Sequence, residues 1–361
     1  MGAWNLDDLL AQVPKRNASD LLLTAGARPQ LRINRQLVPI EGPKLTDRDT
    51  QEMAYSLLNE HQIERFEKHR SLDLSRPLGN IARFRVNLYY QRGSISLALR
   101  IIPYTIPGFA ELGLPPVVRN FAMRPDGLVL ITGPAGMGKS TTLASMIDYI
   151  NHQKRLHVVT IEDPIEYVYQ HENCLIDQRE ILQDASSFEE ALRSVFRQSP
   201  DVIMVGEMRD LETIRLALNL AETGHLILAT LHTRDTSNAV QRIVSVFPTG
   251  QQQQIYTQLS ATLVGVIAQL LLVRRDGSRL VLACEVLNCN TAVRNLIREQ
   301  RPQQIYSVLQ TGKDDHMVTM NESLKVLCEQ GAIAEDLAIE KSPRPKELVK
   351  MLRSAGGRSL L

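Results

Sequence analysis

Apolar and polar positions along this chain follow two regimes. Between residues 84 and 101 they alternate. Phe84, Val86, Leu88 and Tyr90 stand between Arg83, Arg85, Asn87 and Tyr89; after the turn signal Gln91-Arg92-Gly93, Ile95, Leu97, Leu99 and Ile101 alternate with Ser94, Ser96, Ala98 and Arg100. A period of two is the strand period, so this stretch predicts a β-hairpin with one buried face. Farther along, apolar residues come in unbroken runs at 128–132, 157–161, 202–205 and 226–230, with helical segments between them. Strands apolar on both faces and alternating with helices predict a mostly parallel sheet covered on both sides.

The remaining elements fit an α/β chain of two domains. In the first part, Asn5 to Val13 reads as a short amphipathic helix, Leu21 to Thr24 and Leu31 to Ile33 as strands, and Thr46-Asp47-Arg48-Asp49 as the start of one long helix reaching about Arg70. Pro103, Pro107, Gly108, Gly113, Pro115 and Pro116 mark 103–117 as a linker. The expected domains are therefore 1–102 and 118–361. In the second, the capping box Ser187-Phe188-Glu189-Glu190 opens a helix to about Gln198, with Arg193 and Arg197 on one face. Leu211, Ile214, Leu218 and Ala221 mark another helix, closed by Gly224. Helices are expected at 291–299, 321–330 and 345–353, before a mobile Gly-rich tail from Ser354.

The hairpin carries a charge problem. Burying one apolar set on each strand pairs even-numbered positions of the first with odd-numbered positions of the second, since a one-residue slip turns a strand over. Arg83, Arg85 and Arg100 then share the polar face, and in the register whose opposed positions sum to 185 Arg85 lies directly opposite Arg100. Two facing cations are unfavourable unless an anion satisfies them or their heads splay into solvent.

The strongest chemical signal is Gly133-Pro134-Ala135-Gly136-Met137-Gly138-Lys139-Ser140, which matches G-x-x-x-x-G-K-[ST]. It follows the strand candidate 128–132 and precedes a helix from Thr141 to Tyr149, which is the context a phosphate-binding loop requires. Its glycines let backbone N–H groups approach phosphates, Lys139 reaches the outer phosphates, and the Ser140 hydroxyl is placed to ligate Mg²⁺. Three further groups fall at the ends of core strands. In Glu162-Asp163-Pro164-Ile165-Glu166 after 157–161, Glu162 is a candidate to orient or deprotonate the attacking water, and Asp163 to hold metal-bound water or a neighbouring loop. The other reading is an acidic turn that N-caps a helix. Glu207 after 202–205 is the candidate acid near Mg²⁺, and His232 after 226–230 the candidate contact to the γ-phosphate.

Composition sets limits on this picture. At 361 residues the chain accommodates two domains of ample core. With 41 Lys and Arg against 40 Asp and Glu, and no basic stripe interleaved with aromatics, nucleic acid is not an expected partner. Cys174, Cys284, Cys289 and Cys328 include no C-x-x-C pair, which argues against a disulfide framework or a zinc site. The longest apolar stretch, Leu263 to Val273, is interrupted by Gly265 and Gln269 and is too short for a bilayer; with no basic-then-apolar leader, a cytoplasmic protein that docks on a membrane machine is expected.

Taken in order, the loop Gly133–Ser140 with Thr141-Thr142-Leu143, the acidic box Thr160 to Glu166, the run Asp201 to Ile214, and the boxes Thr223-Gly224-His225 and Thr230-Leu231-His232-Thr233 resemble the secretion-superfamily ATPases. Within them the chain is similar to the retraction ATPases of type IV pili. Ala18-Ser19-Asp20-Leu21, Ala82 to Asn87 and Ala292 to Glu299 extend the likeness over nearly the whole chain. The resemblance implies a PAS-like N-terminal domain and a RecA-like ATPase domain, assembled as a homohexamer at the cytoplasmic face of the inner membrane. ATP and Mg²⁺ would power domain motions that withdraw pilin from the fibre, supporting twitching motility. Partners would be an inner-membrane platform protein and, in some systems, a paralogous pilus ATPase. It further implies Glu162 as general base, Glu207 as the acid holding Mg²⁺ through water, His232 as nucleotide sensor, and Arg85 and Arg100 as arginines that close on the phosphates. Gly133 to Thr141 would bind the nucleotide.

Pilus-extension and type II secretion ATPases, the nearest rivals, usually carry a tetracysteine zinc module that this sequence lacks. A non-hydrolysing regulatory subunit would be expected to have lost Lys139, Glu162 or Glu207. Departures from the family pattern are Ala135 and Met137 in place of hydroxyl residues, Leu22 where His is usual, Arg35 at a turn Gly, and Val293 where Ile is usual. The first two leave backbone cradling intact and bear on turnover.

Overall fold

A computed structural model describes residues 4–33, 36–78, 82–102 and 105–356. The chain forms two compact units, 1–105 and 106–361. Arg35, Pro103 and residues 357–361 of the expected tail lie outside the described residues.

The first unit runs α1 (Leu6–Lys15), β1 (Asp20–Thr24), β2 (Gln30–Ile33), β3 (Gln36–Pro39), α2 (Asp47–Tyr55), α3 (Glu60–His69), β4 (Ser71–Leu78), β5 (Ala82–Gln91) and β6 (Ser94–Ile102). Its strands make one antiparallel sheet in the order β3-β2-β1-β6-β5-β4. Leu21, Leu31, Phe84, Val86, Leu97 and Leu99 line the buried face. The hairpin register has the parity the alternation requires, and of the registers that parity allows it is the one with Arg85 opposite Arg100. The single helix expected from Thr46 to Arg70 is two helices. Asn59 ends the first run because its side chain caps Gln62 N–H while the Gln62 side chain takes Asn59 N–H, a second capping box.

The second unit begins with α4 (Phe109–Leu112) and α5 (Val117–Ala122), then β7 (Gly127–Thr132), α6 (Lys139–Gln153), β8 (His157–Glu162), β9 (Leu175–Glu180), α7 (Phe188–Val195), β10 (Val202–Val205), α8 (Leu211–Glu222), β11 (Leu226–Leu231), α9 (Thr236–Ser245), α10 (Thr249–Thr262), β12 (Leu263–Val273) and β13 (Leu280–Asn288). It ends in α11 (Thr291–Arg298), α12 (Ile305–Thr311), α13 (Met320–Glu329), α14 (Glu335–Lys341) and α15 (Pro345–Gly356). The segment read as a linker is partly built into this unit, where Phe109, Leu114 and Val117 are buried in its core. Residues 354–356, expected in the tail, continue α15.

Seven strands order as β13-β12-β7-β11-β10-β8-β9, and every neighbouring pair is parallel except β12 with β13. Apolar side chains from alternate strand positions feed separate cores on the two faces: Leu128, Leu130, Ile203 and Val205 on one, Val129, Ile131, Val202 and Met204 on the other. That two-sided burial explains the unbroken apolar runs. The apolar run 263–273 is β12, in the same sheet. Among the described residues no helix is long and apolar enough to cross a membrane.

Candidate nucleotide-binding and hydrolytic site

Strand order differs from chain order, and this builds the site. The carboxyl ends of β7, β11, β10 and β8 lie side by side, so the loop after β7, His232 after β11, Glu207 after β10 and Glu162 at the end of β8 meet around one cleft of about 210 Å³. Ligands bind at this edge of open α/β sheets.

Gly133–Ser140 bends from β7 into α6 with Gly133, Gly136 and Gly138 at φ values of 144°, 75° and 78°. A Cβ at Gly133 would lie 2.6 Å from the Gln269 carbonyl oxygen of β12, so only glycine fits. Gly138 caps α6 in the left-handed region and leaves the helix N-terminus open toward the cleft. The two replaced loop positions behave differently. Ala135 lines the cleft, whereas the Met137 sulfur accepts the Leu271 N–H of β12 at 3.2 Å. Pro134, Ala135 and Gly136 are exposed. The Thr141 hydroxyl is engaged with the Tyr167 hydroxyl at 3.0 Å.

Lys139 is 8% exposed and donates to the Gly133 and Pro134 carbonyls at 2.9 and 3.0 Å. Burial pulls its ammonium below the usual lysine range, against the attraction of Glu207 and Glu166. Its Nζ is 3.4 Å from His232 Nδ1, and His232 Nε2 is 2.7 Å from Glu207 Oε1. The consistent assignment has Nε2–H donating to Glu207 while Nδ1 accepts from Lys139. Arg209 Nη2 holds the other Glu207 oxygen at 2.7 Å. Burial raises the Glu207 carboxyl, but the Arg209 hydrogen bond and the charges of His232, Arg209 and Lys139 outweigh it and hold the group below the usual glutamate range.

Glu162 is 5% exposed. Its Oε1 accepts from Thr160 Oγ1 at 2.7 Å and Gln178 Nε2 at 3.3 Å, and its Oε2 from the Glu166 N–H at 3.2 Å. Burial pushes its pKa to about 7, against those three hydrogen bonds and with a smaller upward push from Glu166. Glu166 is exposed and lines the cleft.

Lys139, Ser140, Glu162, Glu207 and His232 therefore come together as expected from their strand-end positions. Arg85 and Arg100 belong to the first unit, on its exposed face. There Arg100 Nε donates to Asp20 Oδ1 at 2.8 Å, and Arg32 lies 3.4 Å from Asp20 Oδ2. Asp20 on β1 pairs in register with Arg100 and with Arg32, and is an anion that meets Arg100, one of the two outcomes left open for the facing arginines. Also missed were Arg209, Glu166 and Gln178. Arg209 and Glu166 stand within motifs already singled out, two residues past Glu207 and four past Glu162; Gln178 lies on β9, a strand that was not anticipated.

The sequence pattern of the family described as "Type II/IV secretion system protein" matches residues 7–346. The chain is 43% identical over 342 residues to the type IV pilus retraction ATPase PilT of Pseudomonas aeruginosa, covering 95% of this chain and 99% of that protein. It is 43% identical over 346 residues to the twitching motility protein of Neisseria gonorrhoeae, covering 96% and 92%. A crystal structure of the pilus retraction motor PilT with bound ADP superposes with a TM-score of 0.91 at 47% identity, over 96% of this chain and 99% of that one. With the family pattern running through both units and the solved fold matching throughout, this chain belongs to the type II/IV secretion system protein family.

Proposed function

We propose that this chain is an ATPase motor that couples ATP hydrolysis to retraction of a type IV pilus, working as a homohexamer at the cytoplasmic face of the inner membrane against a platform protein. The observation that carries the reading is the cleft at four adjacent strand ends, where a phosphate loop, two acids in opposite environments and a histidine face one another. The near-complete coverage of retraction ATPases along their length supports the pilus assignment. Co-assembly with a paralogous pilus ATPase is compatible with this reading, and Arg85 and Arg100 are proposed to close on the phosphates.

In this mechanism the loop amides and the α6 N-terminus cradle the phosphates while Lys139 exchanges its carbonyl partners for phosphate oxygens. His232, held by Glu207, reports on the γ-phosphate. A Mg²⁺ ion fits these residues. The Ser140 hydroxyl lines the cleft, both Glu207 oxygens are already engaged and would reach the ion through water, and among the described residues no group of three His, Cys, Asp or Glu forms a competing protein cage. When bound, the ion would neutralise charge on the phosphoryl oxygens. Glu162, with a pKa near 7, is suited to take the proton of the attacking water.

A second assignment of the base rests on accessibility: both glutamates line the cleft, but Glu162 is buried with three donors on its carboxylate, whereas Glu166 is exposed. Steady-state ATPase assays of wild type, Glu162→Gln and Glu166→Gln separate them. The base variant should lose about a hundredfold or more in kcat while nucleotide affinity stays within a few-fold. If wild type binds ATP without hydrolysing it, the motor reading fails and a regulatory subunit is the reading to pursue.

A further inference from the structure

Outside the cleft, Glu285 on β13 is a buried acid, 2% exposed, that the chemistry above does not use. Its Oε1 accepts the Thr236 N–H at 3.0 Å and the Thr236 hydroxyl at 2.7 Å; its Oε2 accepts the Met320 N–H at 3.4 Å. Thr236 is the first residue of α9 and Met320 the first of α13. Both helices already have side-chain caps, since Asp235 takes the Asn238 N–H and Thr319 the Glu322 N–H. Glu285 thus takes first-turn amides that those caps leave over. A buried carboxyl group is costly unless its lone pairs are filled, and two helix N-termini supply donors and positive dipole ends, which offset only part of the upward push that burial and nearby Asp235 give its pKa.

The two helices have different loyalties. The start of α9 lies four residues beyond His232, and the intervening Thr233 is fastened to the phosphate-loop strand: Thr132 Oγ1, on the last residue of β7, donates to the Thr233 carbonyl at 2.6 Å. By contrast α13 packs with α14 and α15 around a separate core that includes Leu272, Ala283, Leu324, Ile333 and Leu348. One rigid carboxylate plane therefore spans from the segment carrying His232 to the C-terminal helices.

We propose that Glu285 is a positioning residue that transmits displacement of the His232 segment to α13, so that the C-terminal helices follow the nucleotide state. This rests on His232 sensing the γ-phosphate. When the start of α9 shifts, the two Thr236 donors carry Oε1 with them, and Oε2 must move with it or release Met320. A merely structural Glu285 would affect folding stability and leave the two segments responding to nucleotide as before.

The test is hydrogen–deuterium exchange on the full-length protein with ADP and with a non-hydrolysable ATP analogue, reading residues 230–240 and 317–325. In wild type both segments should change protection between the two nucleotides. In Glu285→Gln, which keeps the size but sets an amide group among donors, the 230–240 change should persist while the 317–325 change shrinks about fivefold or more. With it, kcat should fall about tenfold while nucleotide Kd stays within about twofold. If that variant does not fold, Thr236→Val removes only the hydroxyl donor and should give the same pattern at smaller amplitude. An undiminished 317–325 response in the variants, or no such response in wild type while 230–240 responds, overturns the proposal. If neither segment responds in wild type, the sensor reading of His232 fails and takes the proposal with it.

Discussion

Glu162 and Glu207 leave neighbouring parallel strands, β8 and β10, at nearly the same height, since Ile161 pairs with Val205. Both are sheltered and both line the cleft. Their environments nevertheless drive them in opposite directions. Glu162 is met only by neutral donors, and burial prevails. Glu207 is met by Arg209, His232 and Lys139, and the cations prevail. Paired acids with separated pKa values are how one site keeps one carboxylate ionised and another ready to exchange a proton near neutral pH. The difference lies in the partners each strand end finds, not in the residue type.

The largest expected consequence is in stability against pH. The folded state holds the Glu162 proton up to about pH 7, whereas the ordinary carboxyl value is 4.5. Between those values the folded protein binds more protons than the unfolded chain, so stability present at low pH is lost as pH rises, by about 3 kcal/mol in all. Glu207 has the opposite sign, contributing stability above the ordinary value that is lost as pH falls through its depressed pKa. Glu162→Gln should therefore flatten the fall between about pH 5 and about pH 8, measured by urea unfolding. Parallel curves for the two proteins would break the comparison.

A smaller effect is expected from Arg209→Ala, which removes the strongest hydrogen bond holding Glu207 low and should move that carboxyl upward, toward Glu162. The readout is the acid limb of the kcat profile, which should shift to higher pH. Because Arg209 is 75% exposed, the loss of folding stability should stay within about 1 kcal/mol. An unmoved limb would mean that His232 and Lys139 suffice. The smallest effect extends the comparison to the first unit, where Asp20 is also sheltered and met by cations, but by arginines, Arg100 and Arg32, whose own side chains are 68% and 38% exposed. A double-mutant cycle of Asp20→Asn with Arg100→Ala should give a coupling of about 0.2–1 kcal/mol. A coupling of zero would return the hairpin arginines to plain solvation.

Sequence legibility followed contiguity. The phosphate loop was readable because its function resides in eight successive backbone units with glycines where φ must be positive. The face shared by the hairpin arginines was readable because a period of two admits one pairing parity. The break between α2 and α3 was also written locally, in Asn59 and Gln62, and was passed over because the apolar pattern runs on through Leu57 and Leu58. β12 was hidden by its length and by Gly265 and Gln269. Gly265 admits the Phe121 ring, with a Cβ there only 2.5 Å from the ring, and Gln269 donates to the Thr142 hydroxyl of α6 at 2.7 Å. Both residues look wrong for a core strand until their partners are in place.

By itself the sequence determined the hairpin β5–β6, the core strands β7, β8, β10 and β11, the loop, and the candidate acids and histidine at strand ends, because propensity, periodicity and turn geometry act over a few neighbouring residues. Only the tertiary structure decided that β11 and β10 lie between β7 and β8, and hence that Lys139, His232, Glu207 and Glu162 share a cleft. It also decided that Asp20 answers Arg100, that Arg209 and His232 hold Glu207, and that Glu285 spans two helix starts. Desolvation and charge act through space, and the chain order says nothing of which distant residue will supply them.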